Sequence, residues 1–241
     1  MDREVQPLVI QSRWMDQPFP QWTTPVIADA ALRAGAAFAV VDERLPPVDE
    51  SMKAWGRART VTHFGSVDVF LEAIDEAERG DLLVIDNAGR TDEACIGDLI
   101  VAEAAAAGLA GIVCWGRHRD SADILRIGLP VFSTGTCPAG PREHRPAVAS
   151  SVRIGSVHVT SGALVFADAD GVVIVSPADV DAVLTEAIRI YEVERRQAEM
   201  VTSGRSLRQQ FRFADYLARR AKEPGYRFRA HLRLLGGEIE E

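Results

Sequence analysis

Four polar side chains in a row, Arg117, His118, Arg119 and Asp120, follow an apolar run from Gly111 to Trp115 and a glycine, Gly116. Such a run reads as a buried parallel strand, and open α/β sheets place their chemistry just past strand ends. Arg119 offers a planar fork for an oxyanion, with a charge that does not vary with pH. Asp120 is a hard oxygen ligand. One carboxylate, completed by waters and substrate oxygens, is the usual way of holding Mg²⁺ or Mn²⁺. The same two residues would equally make an ordinary surface pair. His118 is either a base or a hydrogen-bonded filler.

A second group of candidates is Gly97, Asp98, Leu99 and Ile100, at the predicted start of a helix from Ile96 to Ala107. Free backbone N–H groups and the positive dipole end suit a carboxylate or phosphate there. Gly97 removes the side chain where a ligand would approach, or only permits close helix packing. His63 is ambiguous, while His144, His158 and His231 are scattered and read as structural or surface residues. Cys95, Cys114 and Cys137 have no metal-type spacing, so neither a structural zinc site nor a disulfide framework is expected. The chain has no G-x-S-x-G, no phosphate-loop motif and no G-x-G-x-x-G after a strand. Asp168-Ala169-Asp170-Gly171 opens like a calcium loop but lacks the later ligands, and a hairpin fits better.

The elements that must position these residues follow from pattern. Thr24-Pro25 caps and opens a helix that Gly35 ends. Strands are expected at 36–41, 57–63, 81–86, 111–115 and 129–133, with helices at 67–79, 96–107 and 122–127 between the later ones. That β-α-β-α-β order implies parallel strands. The loops 86–98 and 115–123 should then lie side by side. Further on, 152–160, 163–166 and 172–175 alternate without long helices, so an antiparallel layer follows, with a two-residue turn at Asp170-Gly171. Ser176-Pro177 caps a long helix over 178–200. A tail helix over 206–221 carries an apolar stripe of Leu207, Phe211, Ala214, Tyr216 and Leu217.

The chain of 241 residues has room for one large domain and an appendage, and its net charge of −8 argues against a general nucleic-acid binder. The tail runs against that balance, with eight arginines between Arg205 and Arg233. In an acidic protein such a tail is read as docking on its own subunits rather than on nucleic acid or membrane. The first residues show no apolar leader segment and no run is long enough to span a bilayer, so a cytoplasmic location is expected.

The segments G-D-L-L-V-I-D (80–86), I-G-D-L-I-V-A-E-A-A-A-A-G-L-A-G-I-V (96–113), G-R-H-R-D (116–120), G-L-P-V-F (128–132) and G-T-C-P-A-G-P (135–141), in that order, resemble the RraA-like family. T-P-V-I-A-D-A-A (24–31) and D-A-D-G-V-V-I-V (168–175) add to the likeness, which covers about 24–200. The family includes 4-hydroxy-4-methyl-2-oxoglutarate/4-carboxy-4-hydroxy-2-oxoadipate aldolases, which also decarboxylate oxaloacetate, and a non-enzymatic regulator of ribonuclease E. The resemblance implies an α/β fold, a swivelling β/β/α domain with parallel strands plus an antiparallel layer, here with a helical C-terminal extension. Domains at 1–23 (arm), 24–200 (family domain) and 201–241 (basic tail) follow. It implies a homotrimer or homohexamer with sites between subunits, and a small 2-oxo acid substrate cleaved to give pyruvate. Asp120 would hold a divalent metal, Mg²⁺ or Mn²⁺, and Arg119 would bind substrate. The main chain of Gly97, Asp98, Leu99 and Ile100 would take the oxo-acid end, and His118 or a metal-perturbed water would move the proton. No lysine lies in the central loops for a Schiff base. The regulator branch lacks the aspartate at position 120, which favours an enzyme. The chain departs from the family pattern at Trp115, Arg117 and His118, which leaves room for a lyase or hydratase acting on another 2-oxo or sugar acid. Family aldolases place a neighbouring subunit's glutamate near the metal; Glu194 and Glu199 are the candidates here.

Overall fold

The computed structural model describes residues 23–141 and 151–236. The expected arm before Thr23, and His144, lie outside the described residues. The described chain runs α1 (Thr24–Ala34), β1 (Phe38–Val40), β2 (Ala54–Thr62), α2 (Asp68–Asp75), β3 (Leu82–Asp86), β4 (Ala94–Ile96), α3 (Asp98–Ala107), β5 (Gly111–Trp115), β6 (Arg117–His118) and α4 (Ser121–Ile127). It continues with β7 (Val131–Ser133), β8 (Ser151–Ile154), β9 (Val157–Thr160), β10 (Leu164–Asp168), β11 (Gly171–Val175), α5 (Val180–Thr202), α6 (Leu207–Gln210), α7 (Phe213–Lys222) and α8 (Phe228–Leu235).

One mixed sheet of seven strands, in the order β1-β11-β10-β2-β3-β5-β7, organises the α/β fold. β2 belongs to both of its halves. Its first residues pair antiparallel with β10, Ala54 opposite Ala167 and Arg57 opposite Leu164. Its later residues pair parallel with β3, from Ala58 opposite Leu82 to Thr62 opposite Asp86. The antiparallel strands β1, β10 and β11 are therefore a continuation of the parallel sheet rather than a layer laid over it. The layer that does stack on the sheet is the β8–β9 hairpin.

Alternation along the strands decides which side chain faces which layer. Leu82 and Val84 join Val113 and Phe132 against Val152, Ile154 and Val159 of the hairpin. Leu83 and Ile85 point the other way, onto Phe70, Val101, Ala104 and Ile124 of α2, α3 and α4. On the antiparallel half, that same face presents Phe166, Val173 and Val175 to Ile27 and Ala30 of α1 and Leu184 and Ala187 of α5. With both faces covered, the central strands are apolar throughout, as parallel strands require.

Several boundaries differ from the sequence expectation, each for a local reason. Ile96 belongs to β4, so α3 starts two residues later than expected. The stretch 152–160 is two strands, because Gly155 turns the chain at φ 59°. In the later hairpin Asp168 faces Gly171, so the two-residue turn is Ala169-Asp170, one residue earlier than expected. Thr24 does not cap α1 with its hydroxyl. The cap comes from Asp168, 144 residues away, which accepts from Thr24 N and Thr24 Oγ1, both at 2.7 Å. Asp179 rather than Ser176 precedes α5, and its carboxylate accepts from the Ala37 N–H at 3.0 Å. The expected tail helix breaks at Arg212, whose φ of 46° ends one helix before the next begins. That break resets the helical period. Phe211 and Tyr216 go inward, while Leu207 and Leu217 stay 43% and 40% exposed. Among the described residues no helix is long and apolar enough to cross a membrane.

Candidate functional site

The two loops that follow β3 and β5 do lie side by side, joined by strands too short to show in the sequence. β4 in the first pairs parallel with β6 in the second, Ala94 opposite Arg117 and Ile96 opposite His118. The Arg119 N–H donates to the Ile96 carbonyl at 3.0 Å. A third segment packs alongside. The His118 N–H donates to the Gly135 carbonyl at 2.9 Å, Cys137 N–H to the His118 carbonyl at 2.9 Å, and Ala94 N–H to the Ala139 carbonyl at 2.7 Å. The Arg117 guanidinium adds a bond to the Thr136 carbonyl at 2.9 Å. The loops are thus fixed by main-chain bonds on both sides, which leaves their side chains for other work.

This arrangement brings Gly97, at the N-terminus of α3, against Arg119 and Asp120. A Cβ on Gly97 would lie 2.7 Å from Asp120 Oδ2 and 3.1 Å from Arg119 Nε. A Cβ on Gly140 would lie 2.9 Å from a terminal nitrogen of Arg119. The guanidinium therefore passes between two glycines, and a side chain at either position would have to push Arg119 or Asp120 aside. Gly97 has an extended backbone with φ −140°, so close approach rather than backbone freedom is what requires glycine there.

Arg119 Nε sits 3.3 Å from Asp120 Oδ2, and the two side chains are 47% and 37% exposed. An open pair of this kind holds its partners weakly and leaves both free to meet a ligand. Asp120 itself is left-handed, with φ 61° and ψ 37°. That conformation costs about 1 kcal/mol for a residue other than glycine, and Asp tolerates it better than most. Its carbonyl starts α4 by accepting from Asp123 N at 2.9 Å and Ile124 N at 3.0 Å. Its carboxylate makes no capping bond and faces α3 instead.

At the start of α3, the Leu99 N–H already donates to Asp98 Oδ1 at 2.8 Å, and the Val101 N–H to the Gly97 carbonyl at 3.2 Å. Asp98 thus competes for part of the helix terminus that was read as a ligand site. The Leu99 side chain is 79% exposed, whereas Ile100 packs on the helix-side core.

His118 lies inside rather than at the open edge. It is 5% exposed, with Nδ1 2.6 Å from Ser133 Oγ and Nε2 2.9 Å from Ser121 Oγ. Burial pushes its pKa below the ordinary histidine value, against the nearby Asp120 charge. A neutral imidazole with both nitrogens engaged is not free to act as a base. Glu194 is half-buried and Glu199 exposed on α5, a helix whose principal packing is against α1.

A second polar network, not expected from the sequence, supports the first loop from behind. His63 Nδ1 is 2.9 Å from Asn87 Oδ1 and 3.3 Å from Cys95 Sγ, and its ring stacks on Phe70. Arg90 pairs with the buried Glu93 at 2.6 Å and lies over the Phe64 ring. Burial pushes His63 down and the Cys95 thiol well up, so both stay neutral and structural. The spacing of Arg90 and Glu93 was the available signal, but a short loop gives no period to read it by.

The donor set limits which metal could bind. Among the described residues, no three His, Cys, Asp or Glu side chains gather into a cage. Asp120 offers one accessible hard oxygen beside a cradle that any side chain at position 97 would fill. That fits a cation such as Mg²⁺ or Mn²⁺, which keeps much of its water and shares ligands with substrate. It does not fit zinc.

A family profile described as Aldolase/RraA matches residues 24–174. A protein of Halalkalibacterium halodurans, provisionally named as a 4-hydroxy-4-methyl-2-oxoglutarate aldolase, is 32% identical over 145 residues, which is 59% of this chain and 69% of that one. The crystal structure of an uncharacterized protein from Pseudomonas syringae superposes with a TM-score of 0.69 at 26% identity, over 78% of this chain and 92% of that one. Streptomyces coelicolor RraAS2, described as an unusual member of the RNase ES inhibitor RraA protein family, superposes with a TM-score of 0.63 at 26% identity, over 78% of this chain and 94% of that one.

Proposed function

Because the chain belongs to the Aldolase/RraA family, we propose that it is a divalent-metal-dependent lyase that cleaves a carbon–carbon bond in a 2-oxo acid to release pyruvate. Its substrates are of the type of 4-hydroxy-4-methyl-2-oxoglutarate or oxaloacetate. The observation that carries this reading is the open Arg119–Asp120 pair packed against Gly97 at the start of α3. Asp120 would hold the cation. A cation such as Mg²⁺ or Mn²⁺ held there would supply Lewis-acid polarisation of the 2-oxo group.

The rest falls to the chain's own residues. Arg119 binds the carboxylate or compensates the developing oxyanion, in a site walled by glycines so that its guanidinium can approach closely. The main chain at Gly97–Ile100 orients the oxo-acid end. In oxaloacetate the bond to the departing carboxylate breaks, and its electron pair stays on the adjacent carbon. That carbon then takes a proton from solvent, since His118 has no free nitrogen to supply one. Copies of the chain assemble as a trimer or hexamer, and the basic tail contributes to that contact.

The test is pyruvate release from both acids with Mg²⁺ or Mn²⁺, with and without EDTA. Turnover that EDTA abolishes and added metal restores is the expected result. No release from either acid, or release indifferent to EDTA, would overturn the assignment. Light scattering gives the assembly mass in parallel. The basic tail and the likeness to RraAS2 favour a second reading, a non-enzymatic regulator of RNA processing. It predicts no pyruvate from either acid.

A further inference from the structure

We propose that His118 is a positioning residue that holds Asp120 in place through Ser121, and that only one of its two ring nitrogens does so. The inference rests on the reading of Asp120 as the cation-holding carboxylate.

Asp120 stands in a left-handed conformation, and its carboxylate makes no bond to the helix it starts. Its carbonyl ties the turn to α4 through Asp123 N and Ile124 N, and contacts on either side complete the hold from Arg119 to Ser121. The main chain before it is fixed by the Arg119–Ile96 bond. On the far side, Ser121 is the first residue of α4, and its hydroxyl meets His118 Nε2 at 2.9 Å. The imidazole is buried, and its other nitrogen meets Ser133 Oγ on β7 at 2.6 Å. Ser133 in turn closes its own tight turn, with Gly135 N at 3.2 Å and Gly135 O at 3.3 Å.

The proton order follows from these contacts. With the Ser133 hydroxyl donating to the Gly135 carbonyl, Nδ1 carries the ring proton and donates to Ser133. Nε2 then accepts from the Ser121 hydroxyl. His118 thus forms a rigid strut from the edge of the sheet to the residue next to Asp120. The Nδ1 arm anchors the ring, and the Nε2 arm reaches the site. A buried histidine that merely filled space would need both arms equally.

The two amide side chains separate these roles, because Asn reproduces the reach of Nδ1 and Gln that of Nε2. The probe is Mn²⁺, its free concentration followed by electron paramagnetic resonance during titration, with Asp120→Ala as the non-binding control. His118→Asn and Ser121→Ala are expected to weaken Mn²⁺ about 10- to 100-fold, while His118→Gln stays within about threefold of the parent. Thermal unfolding of each variant monitors the fold. Mn²⁺ affinity unchanged in His118→Asn and Ser121→Ala would overturn the proposal. So would equal losses in the Asn and Gln variants. If the parent chain takes up no more Mn²⁺ than Asp120→Ala, the metal reading itself fails and the inference falls with it.

Discussion

Two aspartates at the ends of strands have opposite fates in this protein. Asp168 closes the β10–β11 hairpin and is 2% exposed. It accepts from Thr24 N, Thr24 Oγ1 and Asp170 N, at 2.7, 2.7 and 2.9 Å. Asp120 follows β6 and keeps a side chain that is 37% exposed, paired with the still more open Arg119. The first carboxylate is used up by the fold; the second is held in position but left available. The halves of the sheet differ in the same way. The antiparallel half spends its strand ends on tight turns and a helix cap, whereas the parallel half has loops long enough to carry chemistry.

The largest effects should separate those two aspartates. Asp120→Ala is expected to lower pyruvate release by about 10³-fold, with stability falling only by the roughly 1 kcal/mol that alanine costs in the left-handed conformation. If it keeps full oxaloacetate decarboxylation, the contrast between the two carboxylates is broken. Gly97→Ala should cost about 10²-fold in turnover, because its methyl displaces Asp120 Oδ2 and Arg119 together. Steady-state kinetics would show a fall in kcat rather than a rise in KM alone. Asp168→Ala should do the reverse of Asp120→Ala, losing about 2–4 kcal/mol of stability in urea unfolding with kcat retained at low temperature.

The smallest effect is on pH. Burial depresses the pKa of both His63 and His118 in the folded state. The unfolded chain therefore binds protons that the native one refuses, and stability falls as pH drops below about 6.5 toward the lowered native values. Above about 6.5 both states are neutral and the term vanishes. Urea midpoints between pH 7 and 5.5 should decline, and less steeply in His63→Gln.

Much of this was legible in the sequence. The strand from Gly111 to Trp115 lies as its apolar run predicts, and Gly35 and Gly108 end their helices in the left-handed conformation. Arg119, Asp120 and Gly97 do come together, since parallel strands place consecutive loops next to one another. The rest depended on contacts that no local pattern encodes. β4 and β6 are three and two residues long, too short for any period. The strut from Ser133 through His118 to Ser121 joins residues that meet only once the sheet is built. The tail misled for a related reason: its aromatic cluster of Phe211, Tyr216, Phe228 and His231 forms across three helices, where a single amphipathic one was expected.

The shared strand β2 has a consequence for how the chain is made. α1 leaves the ribosome ahead of the strands it packs on, and the carboxylate that caps it lies 144 residues later. Its packing partners on β10, β11 and α5 arrive later still or alongside. At about 5–20 residues per second, the apolar face of α1 waits some 7–30 s for cover. A nascent chain stalled before β10 would present one uncovered edge of β2 and one bare helix face at once, the combination on which chaperones act and from which aggregates start.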